Sequence, residues 1–220
     1  MRFKIIFKSA FWITVLTLIG SGLGFLNQVA IARYFGAEQQ VDMYLFAISV
    51  PTFVAGIVAT IISYSLVPKI ATLSLHLDAQ AIYIRTMLIT IGSIAFIVAI
   101  CGYFLSSWQV SILGQFDAKT LLIIQLTWLT AAFQIIVSFL SALSTAHMKY
   151  FRPVIASLLP YLSMLITTSL VGSSYGISVV SIGFLIGTFC ALLYLAWSCK
   201  TEIMHSYKYG SFDWGEVFSF

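Results

Sequence analysis

Charged residues are scarce in this chain: they make up 8% of its 220 residues, against roughly 25% in an ordinary soluble domain. Hydrophobic residues account for 60%. A surface that faces water cannot be built from so few charges, so the composition predicts an integral membrane protein. The net charge of +4 is scattered over the ends of apolar segments and forms no basic patch. We therefore expect the lipid bilayer, and no nucleic acid, as a partner.

Motifs of catalysis and of metal binding are missing as well. The sequence contains no zinc-protease, nucleophile-elbow or phosphate-loop motif, and no paired acidic residues within an apolar segment. Its three histidines lie far apart, and its three cysteines form neither a CxxC nor a CxxxH pattern. We expect no enzyme activity, no metal ion and no cofactor.

Long apolar runs dominate what is present. Six of them reach the ~20 residues that a helix needs to cross a bilayer, and none alternates as a transmembrane β-strand would. We predict an all-α integral membrane fold with a six-helix transmembrane bundle in residues 1–199. Residues 200–220 are predicted to form a cytoplasmic amphipathic tail or a link to a further helix. The predicted spans lie near 10–32, 41–67, 82–105, 120–146, 154–172 and 177–199.

The positions of Lys and Arg predict the orientation of these spans. Nine of the 11 basic residues fall at the N-terminus, around the second and fourth connections, and in the tail. Only Arg33 and Lys119 fall in the remaining connections. Because basic loops stay in the cytoplasm, the count predicts six spans with both chain ends cytoplasmic. The first connection, from Arg33 to Gln40, is then on the outer side.

Four polar residues around the first connection are candidates for function. Asn27 and Gln28 lie inside the first apolar run, and one of them is expected to face the bundle interior. Either side chain can hydrogen-bond a hydroxyl-rich substrate or a neighbouring helix. Arg33 and Asp42 flank the connection, where they form an ion pair or a polar rim. They either brace the turn or contact a charged ligand group, for which Arg33 suits a phosphate.

The fourth segment carries a polar stripe along one helical face. Such a stripe avoids lipid and faces protein or water. Two interpretations stay open: hydrogen bonding between helices, and the wall of a hydrated cavity. The stripe consists of Thr127, Thr130, Gln134, Ser138, Ser141 and Thr145.

Small residues and prolines mark the other segments. Gly183 and Gly187 have the i, i+4 spacing that lets two helices approach closely. Pro51 and Pro160 each remove a backbone hydrogen bond and are predicted to kink their helices. Two further faces of small or polar residues are Gly20, Gly24 and Asn27 in the first segment, and Thr52, Ala55, Gly56, Ala59 and Ser63 in the second.

The opening two segments resemble the start of the MurJ/MviN family of lipid II flippases, within the multidrug/oligosaccharidyl-lipid/polysaccharide exporter superfamily. A weaker similarity continues at Phe151-Arg152-Pro153 and Phe212-Asp213. The pattern that carries the resemblance is Gly24-Phe25, Ala32-Arg33-Tyr34-Phe35-Gly36-Ala37, Asp42, Ala47, Pro51 and Val67-Pro68.

The resemblance implies a fourteen-helix transporter of the bacterial cytoplasmic membrane, in which two six-helix lobes enclose a hydrated cavity. This chain resembles the N-terminal lobe, so a second six-helix lobe is an expected partner. Arginines that line the family's cavity are replaced: Ser21, Asn27 and Gln28 stand at or beside such positions, and Thr52 to Ser63 carries no charge.

These observations favour a flippase that moves a polyprenyl-linked glycan such as lipid II, for peptidoglycan or cell-surface polysaccharide synthesis. Asn27, Gln28, Gln134, Ser138 and Ser141 are expected to line the substrate path, and Arg33 and Asp42 to act at the outer gate. Alternatives are an exporter of O-antigen or exopolysaccharide units, a drug exporter of the same superfamily, and a truncated membrane scaffold that does not transport.

Overall fold

The computed structural model describes residues 2–36, 39–73, 77–112 and 118–208, and the regular structure within these ranges is helical. The predicted all-α fold is therefore confirmed. Six of the helices are long and apolar enough to cross a membrane. The helices are α1 (Arg2–Phe35), α2 (Gln39–Thr72), α3 (Leu77–Ile112), α4 (Ala118–Ala146), α5 (Phe151–Tyr175), α6 (Ser178–Ser198) and α7 (Lys200–Lys208).

Most helices run beyond the predicted spans. One large difference is in α3, which continues to Ile112 although the sequence predicted an end near residue 105. Hydropathy locates the membrane-crossing part, whereas the backbone hydrogen bonds of a helix continue through polar residues such as Ser106. Of the predicted tail, residues 200–208 form α7, and residues 209–220 lie outside the described part of the chain.

The helix α4 is the centre of the bundle. It packs against α2, α3 and α6, and half of its most apolar window is buried, compared with 17% for α1, α3 and α5. Ile135, Phe139 and Leu143 are completely buried along it. Because the helix is surrounded by protein, its polar side chains can be satisfied without facing lipid.

The helices α5 and α6 make the closest contact in the bundle. A Cβ atom added at Gly187 would lie 2.5 Å from the Cα atom of Pro160 and 2.7 Å from the carbonyl oxygen of Leu159. Gly183 faces Thr167 one turn earlier. The predicted packing role of the two glycines is confirmed, because only a residue without a side chain lets the backbones come this close.

The helices α1 and α2 follow each other in sequence but pack on different neighbours. The face of α1 with Gly20 and Gly24 lies against Leu158 and Tyr161 of α5. The helix α2 packs on α4 instead, and few contacts join α1 to α2. This arrangement leaves a space between α2 and α5, alongside α4. Both α2 and α5 remain helical through Pro51 and Pro160, and the kinks predicted there stay predictions.

Replacing Gly187 with alanine should test the contact between α5 and α6. The new methyl group would meet backbone atoms that cannot rotate away, so we expect a loss of about 1–3 kcal/mol in stability. Thermal unfolding in detergent micelles, followed by tryptophan fluorescence, measures this loss. The matched control is Gly22→Ala, where the methyl group meets nothing within 4 Å and stability should stay equal or rise. Equal melting temperatures for the wild type and Gly187→Ala would contradict the close contact.

Candidate functional site

A cleft with a volume of about 280 Å³ lies between α2 and α5, with α4 and α6 closing its base. The small residues of α2 form one wall, and the turn of α5 around Pro160 forms the other. Two members of the polar stripe of α4, Gln134 and Ser138, reach it. The lining residues are Thr52, Ala55, Gly56, Ala59, Gln134, Val137, Ser138, Ala156, Ser157, Pro160, Tyr161, Phe184 and Thr188.

The serine and threonine hydroxyls in this cleft share one hydrogen-bonding state. Each donates its proton to a carbonyl oxygen of its own helix: Ser138 to Gln134 at 2.8 Å, and Thr188 to Phe184 at 2.8 Å. Ser157 and Thr52 donate to their own helices in the same way. This back-bonding lets a hydroxyl lie in an apolar helix, and it leaves the oxygen lone pairs directed outward as acceptors.

The amide of Gln134 is the exception. It is half-buried at the cleft and makes no hydrogen bond to the described residues. It therefore offers two N–H donors and one carbonyl acceptor to whatever enters. None of the described residues that line the cleft is charged. The cleft can thus bind a neutral polar group by hydrogen bonds, with donors supplied by the amide of Gln134 and the phenol hydroxyl of Tyr161.

The remaining polar stripe of α4 packs against protein. Thr127 is buried, and its hydroxyl lies 3.3 Å from the carbonyl oxygen of Ala47 on α2 and 2.8 Å from that of Ile124. Thr130 is also buried, and Ser141 is half-buried without lining the cleft. The N-terminal part of the stripe therefore packs between helices and its middle part lines the cleft, while the predicted hydrated cavity stays a prediction.

The two amides of α1 have different surroundings. Asn27 is buried, and its Nδ2 atom donates to the carbonyl oxygens of Leu23 at 3.0 Å and of Tyr161 at 2.9 Å. The side chain therefore fastens α1 to the turn of α5 that lines the cleft. Gln28, the next residue, is exposed. The sequence predicted that these amides bind either a substrate or a neighbouring helix, and Asn27 forms the bond to a neighbouring helix.

Arg33 and Asp42 are both exposed at the ends of α1 and α2 that face the first connection. The ion pairs found among residues 2–36, 39–73, 77–112 and 118–208 join other residues, so these two charges do not pair with each other. Of the two predicted geometries, the structure has the polar rim.

Sequence reasoning missed an ion-pair cluster between the α4–α5 corner and α7. Glu202 pairs with Lys149, and its Oε1 atom lies 3.2 Å from Nη1 of Arg152. Thr201 donates to the other carboxylate oxygen at 2.7 Å. Burial alone would raise the pKa of Glu202, but the hydrogen bonds from Lys149 and Thr201 outweigh it and lower the pKa to about 2. Only the basic half of this cluster was visible in sequence, since Glu202 lies 50 residues after Arg152.

Comparison with known proteins places residues 31–216 within a family model described as "MurJ: Lipid II flippase MurJ". Among solved structures, the chain is similar to "Lipid II flippase MurJ, inward closed conformation", with a TM-score of 0.64 and 19% sequence identity. That similarity covers 93% of this chain and 43% of the other, so the chain spans less than half the length of that flippase. Curated protein sequences give no match.

The hydrogen bond between α1 and α5 can be tested by comparing two neighbouring amides. Asn27→Leu removes the donor to Tyr161, and we expect it to lower the free energy of unfolding by about 0.6–1.7 kcal/mol. Gln28→Leu changes an exposed side chain and should stay within about 0.5 kcal/mol of the wild type. Thermal unfolding in detergent measures both. Equal effects of the two variants would show that the bond contributes nothing.

The ion-pair cluster predicts how the attachment of α7 depends on pH. The pKa of Glu202 is lowered from 4.5 to about 2 in the folded chain. Its contribution to stability is therefore complete above pH 4.5 and disappears as the pH falls through about 2. Amide hydrogen exchange of residues 200–208, corrected for intrinsic rates, should accelerate over that window.

Glu202→Gln provides the matched comparison, because it keeps the shape of the side chain and removes its charge. We expect the exchange of α7 to be faster in this variant at pH 7 and to change little between pH 4.5 and 2. Exchange in the wild type that does not change across that window would contradict the assignment.

Proposed function

We propose, because the chain belongs to the MurJ lipid II flippase family, that it is a flippase lobe for polyprenyl-linked glycan precursors. The precursor would cross the bacterial cytoplasmic membrane to supply peptidoglycan or cell-surface polysaccharide synthesis. The observation that supports this proposal best is the cleft with the unbonded amide of Gln134. A site of this kind at the side of a membrane-spanning helix suits a polar cargo that must pass the apolar layer.

Rocking of this lobe against a second six-helix lobe would carry the cargo across. The tight α5–α6 contact and the central α4 would let these helices move as one body. Gln134 and Ser138 would contact the sugar. Ser141 would lie beside the path and exposed Gln28 would approach it from α1. Asn27 would act indirectly, by holding Tyr161 in the wall of the cleft.

Arg33 and Asp42 would act at the outer gate in this mechanism. Their exposure at the α1–α2 end of the lobe leaves both charges free to pair with a second lobe. An orientation with both chain ends in the cytoplasm places this end on the outer side. Closing the gate would then bury charges that are solvated when it is open.

A second candidate cargo is an O-antigen or exopolysaccharide unit. The observation that favours it is the lack of charge among the described residues of the cleft, because such a site recognises sugar hydroxyls without requiring the charged groups of the lipid II peptide. A drug exporter of the same superfamily is less well supported, since such a transporter would use an acidic residue in the middle of a span for coupling.

Rescue of depleted bacteria tests the proposal. The gene for this chain, with its native flanking sequence, should restore outer-leaflet exposure of a lipid-linked glycan in a strain depleted of its own flippase. A strain depleted of lipid II flippase and one depleted of O-unit flippase separate the two cargoes. Rescue of neither strain would contradict a flippase and leave the scaffold alternative.

Variants at the rim extend this test. Arg33→Ala and Asp42→Ala should each lower the rescued rate by about twofold to tenfold, as expected for the loss of one gate interaction. Gln125→Leu, on the face of α4 turned away from the cleft, is the control and should leave the rate unchanged. Wild-type rates in both rim variants would exclude the proposed gate.

A further inference from the structure

We propose that the cleft is a neutral sugar subsite, which binds glycan hydroxyls and takes no part in binding the diphosphate of the carrier lipid. This inference rests on the proposed function, since it assigns one part of the cargo to one part of the lobe. It divides recognition of a lipid-linked glycan into two places. The sugar is held between α2, α4 and α5, and the anionic group is held elsewhere.

The hydrogen-bonding state of the lining supports this assignment. The serine and threonine protons in the cleft are committed to helix carbonyl oxygens, so these side chains present acceptors. A sugar hydroxyl has a proton to donate to such an acceptor and lone pairs to accept from the amide of Gln134. A diphosphate has acceptors only, so it could accept from the Gln134 amide and the Tyr161 hydroxyl, but at the serine and threonine oxygens its lone pairs would face theirs with no proton between them.

The positions of the charged residues in the lobe support the neutral subsite independently. An anion placed in an apolar site needs a paired cation, and arginine or lysine usually supplies it. Along α2 the nearest charged residues are Asp42 and Lys69, each ten residues from the cleft, or about 15 Å along the helix. Along α5 it is Arg152, which lies four residues, or about 6 Å along the helix, before Ala156 of the lining, and its guanidinium is paired with Glu202. The described lining therefore supplies no cation of its own to a diphosphate, and the cation one turn away is already paired with a carboxylate.

The size of the cleft fits the same part of the cargo. A volume of about 280 Å³ is at the lower end of small-molecule sites and suits a single sugar unit better than a long chain. The walls combine polar edges with the apolar surfaces of Val137, Phe184 and Pro160. A sugar ring has the same division, since its hydroxyls point outward and its C–H groups form apolar faces.

Binding of two carrier lipids tests the inference. Native mass spectrometry of the chain in detergent micelles would compare a polyprenyl diphosphate bearing one N-acetylhexosamine with the same polyprenyl diphosphate without sugar. We expect the glycosylated lipid to bind more tightly to the wild type. Gln134→Leu should weaken its binding about threefold to tenfold and leave binding of the sugar-free lipid unchanged.

Gln125→Leu is the matched control. Gln125 lies on α4 nine residues before Gln134, two and a half turns away, and so faces the opposite groove between α3 and α4. It should leave the binding of both lipids unchanged. Ser138→Ala is a second variant in the cleft, to be used if Gln134→Leu does not fold. It should weaken the binding of the glycosylated lipid and leave the binding of the sugar-free lipid unchanged.

The outcomes separate this inference from the proposed function. The neutral subsite would be overturned if Gln134→Leu and Ser138→Ala weakened the binding of both lipids equally. It would also be overturned if they weakened the binding of neither lipid. The flippase proposal would stand in both cases, because the wild type would still bind the carrier. Failure of the wild type to bind either lipid more tightly than a bulk phospholipid would overturn both proposals.

Discussion

The contact of α6 with the backbone of α5 at Pro160 is the constraint on which the rest of the lobe depends. Gly187 lets this turn of α5 approach α6, which itself packs on the central α4. The same turn then receives α1, through the bond from Asn27 to Tyr161, and forms one wall of the cleft. A side chain at position 187 would therefore displace the attachment of α1 and the wall of the site together.

The location of each polar group in this lobe follows from the free-energy cost of placing it in an apolar medium. The hydroxyls of Ser138 and Thr188 return their protons to their own helices, which lowers the cost of placing them in an apolar medium. The amide of Asn27 bonds across helices, and that of Gln134 remains available at the cleft. The charges of Arg33, Asp42 and Glu202 lie at the helix ends or beyond the spans. The described lining of the cleft is thus polar without being charged.

Helical periodicity predicted well which face of a helix packs against protein, but it did not predict which helix that face packs against. The spacing of Gly183 and Gly187 indicated a close helix contact, and the stripe of α4 indicated a face turned from lipid. Neither pattern says which helix lies opposite, because that depends on contacts distant in sequence. The family resemblance is strongest across α1 and α2, yet these helices pack on α5 and α4. The partner of Asn27 and the pairing of Glu202 lie 134 and 50 residues away, beyond the range of any local pattern.

The pairing of Glu202 also has a consequence for biosynthesis. Lys149 and Arg152 leave the ribosome about 50 residues before their acidic partner, so the corner between α4 and α5 is first made with its full positive charge. Topology is decided at that stage, when basic loops are retained on the side of synthesis. Glu202 arrives only after α6 has followed and then turns the same two cations into an attachment point for α7. The order of translation thus separates in time the positive charge of this corner from the carboxylate that later pairs with it.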